Sequence, residues 1–228
     1  MARPSLHKKR LPSCSTDPYV YENGVLINKL GITKYYELCD AERDLLAEKV
    51  ATTEKVQPQR IDVSFLKAIH AYIFDDIFDW AGEIRTVNLY KEECFFIPGI
   101  SLNYTAPEKI ESELREAIHQ LNSIRWGRKS VDEIATEFAT NIAKIWRILP
   151  FRDGNTRTII GFAKAFARKH NFPLDISVFT QVLSRPVKDG YFCGYSFRDM
   201  LVGASLDEAP EPEHLIAIFK QAIEKGKQ

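Results

Sequence analysis

Neither sign of charge prevails along these 228 residues, in which 31 lysines and arginines face 31 aspartates and glutamates. Without a net field there is no general attraction to nucleic acid or to an anionic membrane, so any anion site has to be built locally. Cysteines are few, and Cys14, Cys39, Cys94 and Cys193 form no Cys-x-x-Cys pair. Their spacing fits neither a zinc site nor a small disulfide scaffold, and it points to a reducing cytoplasm. Long apolar runs are missing as well. The basic opening over residues 1–10 leads into no stretch of signal-peptide length, and no later stretch could span a bilayer. Residues 1–17 read as a flexible basic tail, a solvated end in preference to an address or a contact for an acidic partner. Internal repeats and low-complexity tracts are also absent.

What the chain does have is apolar content at helical spacing. With 45% hydrophobic residues, residues 18–228 can bury one sizeable core and are expected to form one domain. Val131, Ile134, Phe138, Ile142, Ile145 and Trp146 recur at three- and four-residue steps, after a Ser130 cap with Glu133 placed for a capping box. This predicts a buried helix ending near Ile148. Similar patterns run from Tyr35 to Val50, Phe65 to Phe74, Ile110 to Leu121, Ile159 to Phe166 and His214 to Ile223. The class is therefore mainly α. One segment departs from it: Ile84-Arg85-Thr86-Val87-Asn88-Leu89 alternates, and Phe95-Phe96-Ile97 follows a charged Lys91-Glu92-Glu93 turn. This is either a small exposed hairpin over about 84–97 or a connection between helices.

Between two strongly apolar helices the chain inserts Arg152-Asp153-Gly154-Asn155-Thr156-Arg157. Gly154, Asn155 and Thr156 sit where the next helix begins, so their N–H groups lie at the positive end of its dipole, an arrangement that cradles phosphate. Arg157 adds a cation, and Asp153 is a hard oxygen ligand that can hold Mg²⁺ against the same phosphates. A helix-capping turn with an Arg–Asp pair explains the same residues, so two readings stand.

Here the sequence resembles the Fic family, whose signature is His-x-Phe-x-(Asp/Glu)-Gly-Asn-Gly-Arg-x-x-Arg. Pro150-Phe151-Arg152-Asp153-Gly154-Asn155 and Arg157 fall in register. Tyr21 with the run from Gly24 to Ile32 resembles the family's N-terminal entry, and Asp79-Trp80-Ala81-Gly82-Glu83-Ile84-Arg85 resembles the segment leading into its flap. The resemblance implies a Fic-fold helical domain with a small β-hairpin flap beside the loop 149–157, and transfer of AMP from ATP to a hydroxyl of a target protein with release of pyrophosphate. In that scheme Asp153 holds Mg²⁺, while Gly154, Asn155, Thr156 and Arg157 bind phosphates, Asn155 and Arg157 also serving catalysis. Phe151 anchors the loop. Cys94, Phe95, Phe96 and Ile97 form the flap that holds an extended target segment by main-chain pairing. The resemblance favours the hairpin.

Three positions depart from the signature. Thr156 replaces the second glycine and still offers its N–H. Ile160 replaces the closing arginine and removes a cation near the terminal phosphate. Leu149 stands where the family histidine takes the proton from the attacking hydroxyl, a role worth roughly 10²–10⁴ in rate. Leucine cannot accept a proton, and none of His7, His70, His119, His170 and His214 lies in the loop to replace it. The resemblance thus implies an adenylyltransferase scaffold, inactive or strongly impaired. The alternatives are a non-catalytic nucleotide- or partner-binding module, and a related phosphoryl or nucleotidyl transferase. Family members are often restrained by a helix bearing (Ser/Thr)-x-x-x-Glu-(Gly/Asn). Glu22-Asn23, with Pro18 in the Ser/Thr place, is only a near miss, so a separate small antitoxin-like inhibitor is an expected partner, unless there is little activity to restrain. The expected location is the bacterial cytoplasm or, by delivery, a host cell.

Overall fold

The computed structural model describes residues 17–57, 59–90, 102–181 and 196–227. Eight α-helices follow in order among them: α1 (Tyr35–Ala51), α2 (Val63–Phe74), α3 (Ile110–Ser123), α4 (Val131–Ile148), α5 (Asn155–Lys169), α6 (Ser177–Gln181), α7 (Phe197–Ala204) and α8 (Glu213–Lys225). The architecture is mainly α, as the periodicity predicts, and it adds the short α6 and α7 to the expected helices.

Helix α4 is the centre of the packing, lying against α3, α5, α7 and α8. It starts where the sequence places its cap: the Ser130 hydroxyl accepts from the Glu133 amide, and the Glu133 carboxylate accepts from the Ser130 amide at 2.8 Å. Two orphan donors of the first turn are thereby satisfied. Its apolar stripe buries Ile134, Phe138, Ile142 and Ile145. Phe138 makes edge contacts with Trp126 and Phe219 at 5.6 and 5.3 Å and stacks on Phe166 at 5.4 Å. Truncating so enclosed a ring to alanine typically costs about 3–5 kcal/mol.

Helix α2 is capped by Asp62, whose carboxylate accepts from the Phe65 amide at 3.0 Å. Its buried line of Phe65, Leu66, Ile69, His70, Ile73 and Phe74 forms the floor under α5. Gly161 permits the close approach on α5, because a Cβ there would stand 2.7 Å from the Thr53 methyl. Residues 17–33 lie over the turns after α2. The Lys29 amide donates to Ile77 at 2.7 Å, and the Tyr19 ring meets Trp80 edge-on at 5.6 Å.

The segment Ile84–Leu89 is the described part of the expected hairpin, whose partner run at residues 95–97 lies outside the described residues. Its burial alternates, with Arg85, Val87 and Leu89 less exposed than Thr86 and Asn88, and the backbone bends at Val87. No strand pairs with it among the described residues; the one isolated bridge joins Val20 and Leu26. The Arg85 amide donates to the Pro150 carbonyl at 2.9 Å, tying the segment to the loop after α4. Residues 91–97, including Cys94, Phe95, Phe96 and Ile97, fall outside the described residues.

Candidate active site

The turn between α4 and α5 closes on itself. Asn155, the first residue of α5, is buried, and its side chain grips Phe151: Nδ2 donates to the Phe151 carbonyl at 2.8 Å and Oδ1 accepts from the Phe151 amide at 3.0 Å. The Asn155 side chain is thus committed to shaping the loop, which leaves its backbone N–H as the group facing a ligand. Phe151 is buried and stacks on His70 at 3.9 Å, in keeping with an anchoring role. The Thr156 hydroxyl accepts from the indole N–H of Trp146 at 3.1 Å, which fixes the start of α5 to α4.

Gly154 precedes α5 with φ of 75°, a left-handed conformation, and a Cβ there would fall 2.3 Å from the ring of Phe74. Only glycine satisfies both constraints. The loop is seated directly on Phe74, and the Arg157 guanidinium lies 5.5 Å from the same ring.

Above this seat opens a cavity of about 780 Å³, lined by Asp153, Gly154, Asn155, Thr156, Arg157 and Leu149 on one side. Leu46, Ala47 and Val50 of α1 and Ile176 supply apolar walls. Glu42, on α1, pairs with Arg157 at 2.8 Å, its Oε2 accepting from Nη2. Burial pushes the Glu42 carboxyl up, against the pull of Arg157. The second guanidinium nitrogen of Arg157, Nη1, is buried and has no hydrogen-bond partner among the described residues. A buried donor left open costs roughly 1–3 kcal/mol.

Leu149 follows α4 in a left-handed conformation, with φ 50° and ψ 60°, uncommon for a residue other than glycine, asparagine or aspartate. Its side chain is 2% exposed and borders the cavity. Arg85 holds this strained corner from behind: Nε donates to the Leu149 carbonyl at 2.7 Å and Nη1 to the Val87 carbonyl at 2.6 Å, while Nη2 reaches the carbonyls of Thr105 and Ile148. Burial pulls the Arg85 guanidinium down to about 10, so it stays charged at neutral pH, at the negative end of α4. Ile160 is fully buried and does not line the cavity.

No group of three or more histidine, cysteine, aspartate or glutamate side chains gathers into a metal cluster among the described residues. A divalent cation here would draw most of its ligands from phosphate and water, which is the habit of Mg²⁺, with Asp153 as the protein carboxylate. The donor set fits that ion and no all-protein cage.

Glu42, His70 and Arg85 belong to this site, although the sequence alone assigns none of them a role there. Arg85 stands within the quoted Asp79–Arg85 segment, so its place next to the loop had a signal. Glu42 had none, being 115 residues from Arg157.

Comparison with known proteins places this geometry. A family model described as the Fic/DOC family matches residues 60–167. The protein adenylyltransferase VbhT of Bartonella schoenbuchensis is 25% identical over 197 residues, covering 85% of this chain and 40% of VbhT, so the chain spans well under half of that relative. The probable protein adenylyltransferase y4lH of Sinorhizobium fredii is 28% identical over 164 residues, covering 71% of this chain and 80% of y4lH. Among solved structures, the N-terminal FIC domain of Bep8, a VirB-translocated effector from Bartonella sp. 1-1C, superposes with a TM-score of 0.70 at 22% identity over 90% of this chain and 94% of that one. BepC from Bartonella tribocorum, with AMPPNP bound, also gives 0.70, at 20% identity over 90% and 95%. These structural likenesses establish a shared fold.

Proposed function

Because the chain carries a Fic/DOC family domain over residues 60–167, we propose that it is a protein adenylyltransferase scaffold that binds Mg-ATP and turns it over very slowly or not at all. The reading rests most on Arg157, a partly exposed cation that lines a cavity rimmed by Gly154, Asn155 and Thr156. An anionic phosphate in that cavity pairs with the guanidinium and the amides at the start of α5 together. The apolar α1 wall accommodates the less polar end of a nucleotide, and the nucleotide analogue named with BepC lends the assignment support.

In AMP transfer a target hydroxyl oxygen bonds to the α-phosphorus, the bond to the bridging oxygen breaks, and pyrophosphate leaves. The hydroxyl proton needs an acceptor. Mg²⁺, when bound, neutralises phosphate charge, and Asp153 is the residue that would hold it. Gly154 to Arg157 hold the phosphates, and Arg85 fixes the backbone from which side chain 149 projects. Leu149 can take no proton, so the chain binds and orients without completing the step. A target protein docked along residues 84–97, the segment that includes Cys94, Phe95, Phe96 and Ile97, completes the proposal. A separate small inhibitor remains a candidate partner, as does action in the bacterial cytoplasm or in a host cell.

Calorimetric titration with Mg-ATP tests the binding half. Heat that saturates at one nucleotide per chain and disappears in Arg157→Ala is expected. Heat indifferent to that substitution contradicts the nucleotide assignment. A purely partner-binding module is the second reading, favoured by the fully apolar Leu149; it predicts no nucleotide heat at all.

A further inference from the structure

His70 projects from α2 beneath the loop and is fully buried. Both ring nitrogens are engaged: Nδ1 lies 2.8 Å from the Gly82 amide nitrogen, and Nε2 lies 3.1 Å from the Asp153 carbonyl oxygen. The Gly82 amide can only donate and the Asp153 carbonyl can only accept. Nδ1 is therefore the acceptor and Nε2 carries the hydrogen, which fixes a neutral ring in one tautomer. Phe151 stacked at 3.9 Å and Phe74 at 4.7 Å keep the ring from turning over.

In a trans peptide the carbonyl and the following N–H point to opposite sides of the chain. Holding the Asp153 carbonyl down on His70 turns the Gly154 N–H away from α2. On that side it meets Asp153 Oδ1 at 2.7 Å, and both residues line the cavity. Glycine at 154 makes this peptide the one in the loop with the freest backbone, and the easiest to flip. A flipped peptide would present a carbonyl lone pair to an incoming phosphate, where the present orientation offers a donor.

We propose that His70 is a positioning residue for the phosphate site: its Nε2–H locks the Asp153–Gly154 peptide so that the Gly154 N–H faces a bound polyphosphate, as in a Mg-nucleoside diphosphate. The inference rests on the nucleotide reading above. His70 touches neither nucleotide nor metal and acts through the peptide it holds.

Two substitutions separate the nitrogens. His70→Gln can return an amide N–H near the Nε2 position and keep the Asp153 contact. His70→Asn can keep only an acceptor for Gly82. Titrating the full chain and both variants with Mg-ADP and with adenosine, we expect His70→Asn to weaken Mg-ADP about tenfold and leave adenosine unchanged, while His70→Gln stays within about threefold for both. Thermal midpoints are expected to fall in both variants, so a purely structural role would weaken both ligands in step with stability. Equal Mg-ADP losses in the two variants, or none in His70→Asn, overturn the inference and leave the nucleotide site standing. Absence of Mg-ADP binding in the unsubstituted chain overturns the nucleotide reading and the inference with it. A ligand-free measurement decides the geometry separately: long-range nitrogen–proton correlation spectra should show His70 as the Nε2–H tautomer, and an Nδ1–H ring overturns the inference whatever binds.

Discussion

The Arg85 guanidinium donates from Nε to the carbonyl oxygen of Leu149 at 2.7 Å, and the arginine is only 1% exposed. All four of its described side-chain hydrogen bonds go to main-chain carbonyls, those of Val87, Thr105, Ile148 and Leu149. A buried cation thus serves as the C-terminal cap of α4 and sets the left-handed turn from which residue 149 projects. Replacing it with methionine keeps much of the volume but leaves these carbonyls without their donor. Arg85→Met is expected to lose about 3–5 kcal/mol of stability, read from the urea midpoint. A change under about 1 kcal/mol would show the cap to be dispensable.

Gly154 faces two separate obstacles to any side chain, its φ of 75° and the Phe74 ring 2.3 Å from an added Cβ. Gly154→Ala is expected to destabilise the chain by roughly 2–4 kcal/mol and to abolish Mg-nucleotide heat. Combining it with Phe74→Ala should relieve the clash yet not the backbone strain. A double variant as stable as Phe74→Ala alone would show that strain is unimportant there.

Glu42 is well buried beside Arg157, with its carboxyl pushed up by burial. Its charge opposes an incoming phosphate and occupies one arm of the guanidinium. Glu42→Gln is expected to raise Mg-ATP affinity by about threefold to tenfold, and a weaker affinity would mean that the carboxylate orients Arg157 for the ligand. Arg157→Ala leaves Glu42 buried without its cation, so a loss of roughly 1–3 kcal/mol should accompany the loss of binding. In the double variant most of that stability should return.

Burial pushes the His70 imidazole down to about 4 from an ordinary value of 6.5. The folded state therefore binds the proton less readily than the unfolded chain does. Its contribution is fully present above pH 6.5 and is lost as pH falls from 6.5 toward 4, up to about 3 kcal/mol for a shift of this size. Denaturant midpoints measured across that window should fall with acid, and less so in His70→Gln. An identical acid dependence in both proteins would place the titration elsewhere.

Much of the helical frame was legible because each long helix announces one buried stripe. Ser130 and Glu133 even gave the start of α4 to the residue. The loop at 150–157 stood out because polar residues and a glycine interrupt two apolar helices, and its resemblance to a known signature supplied a role. Long-range contacts were not legible. Glu42 reads as one more charge on α1, and nothing local says that it turns inward to Arg157. Arg85 reads as one residue of an alternating segment, and nothing local says that its side chain turns inward to the carbonyls at the end of α4 or that its amide ties the segment to Pro150. His70 reads as an ordinary histidine until the fold brings Gly82 and Asp153 to its two nitrogens.

The central proposal is that an adenylyltransferase scaffold lacks its proton acceptor at position 149. Incubating the chain and its Leu149→His variant with α-labelled ATP and a protein lysate tests this most directly. Label transfer to protein by Leu149→His, at least about 100-fold above the unsubstituted chain, is the predicted result. Equal labelling by both, or none by either, would contradict the account.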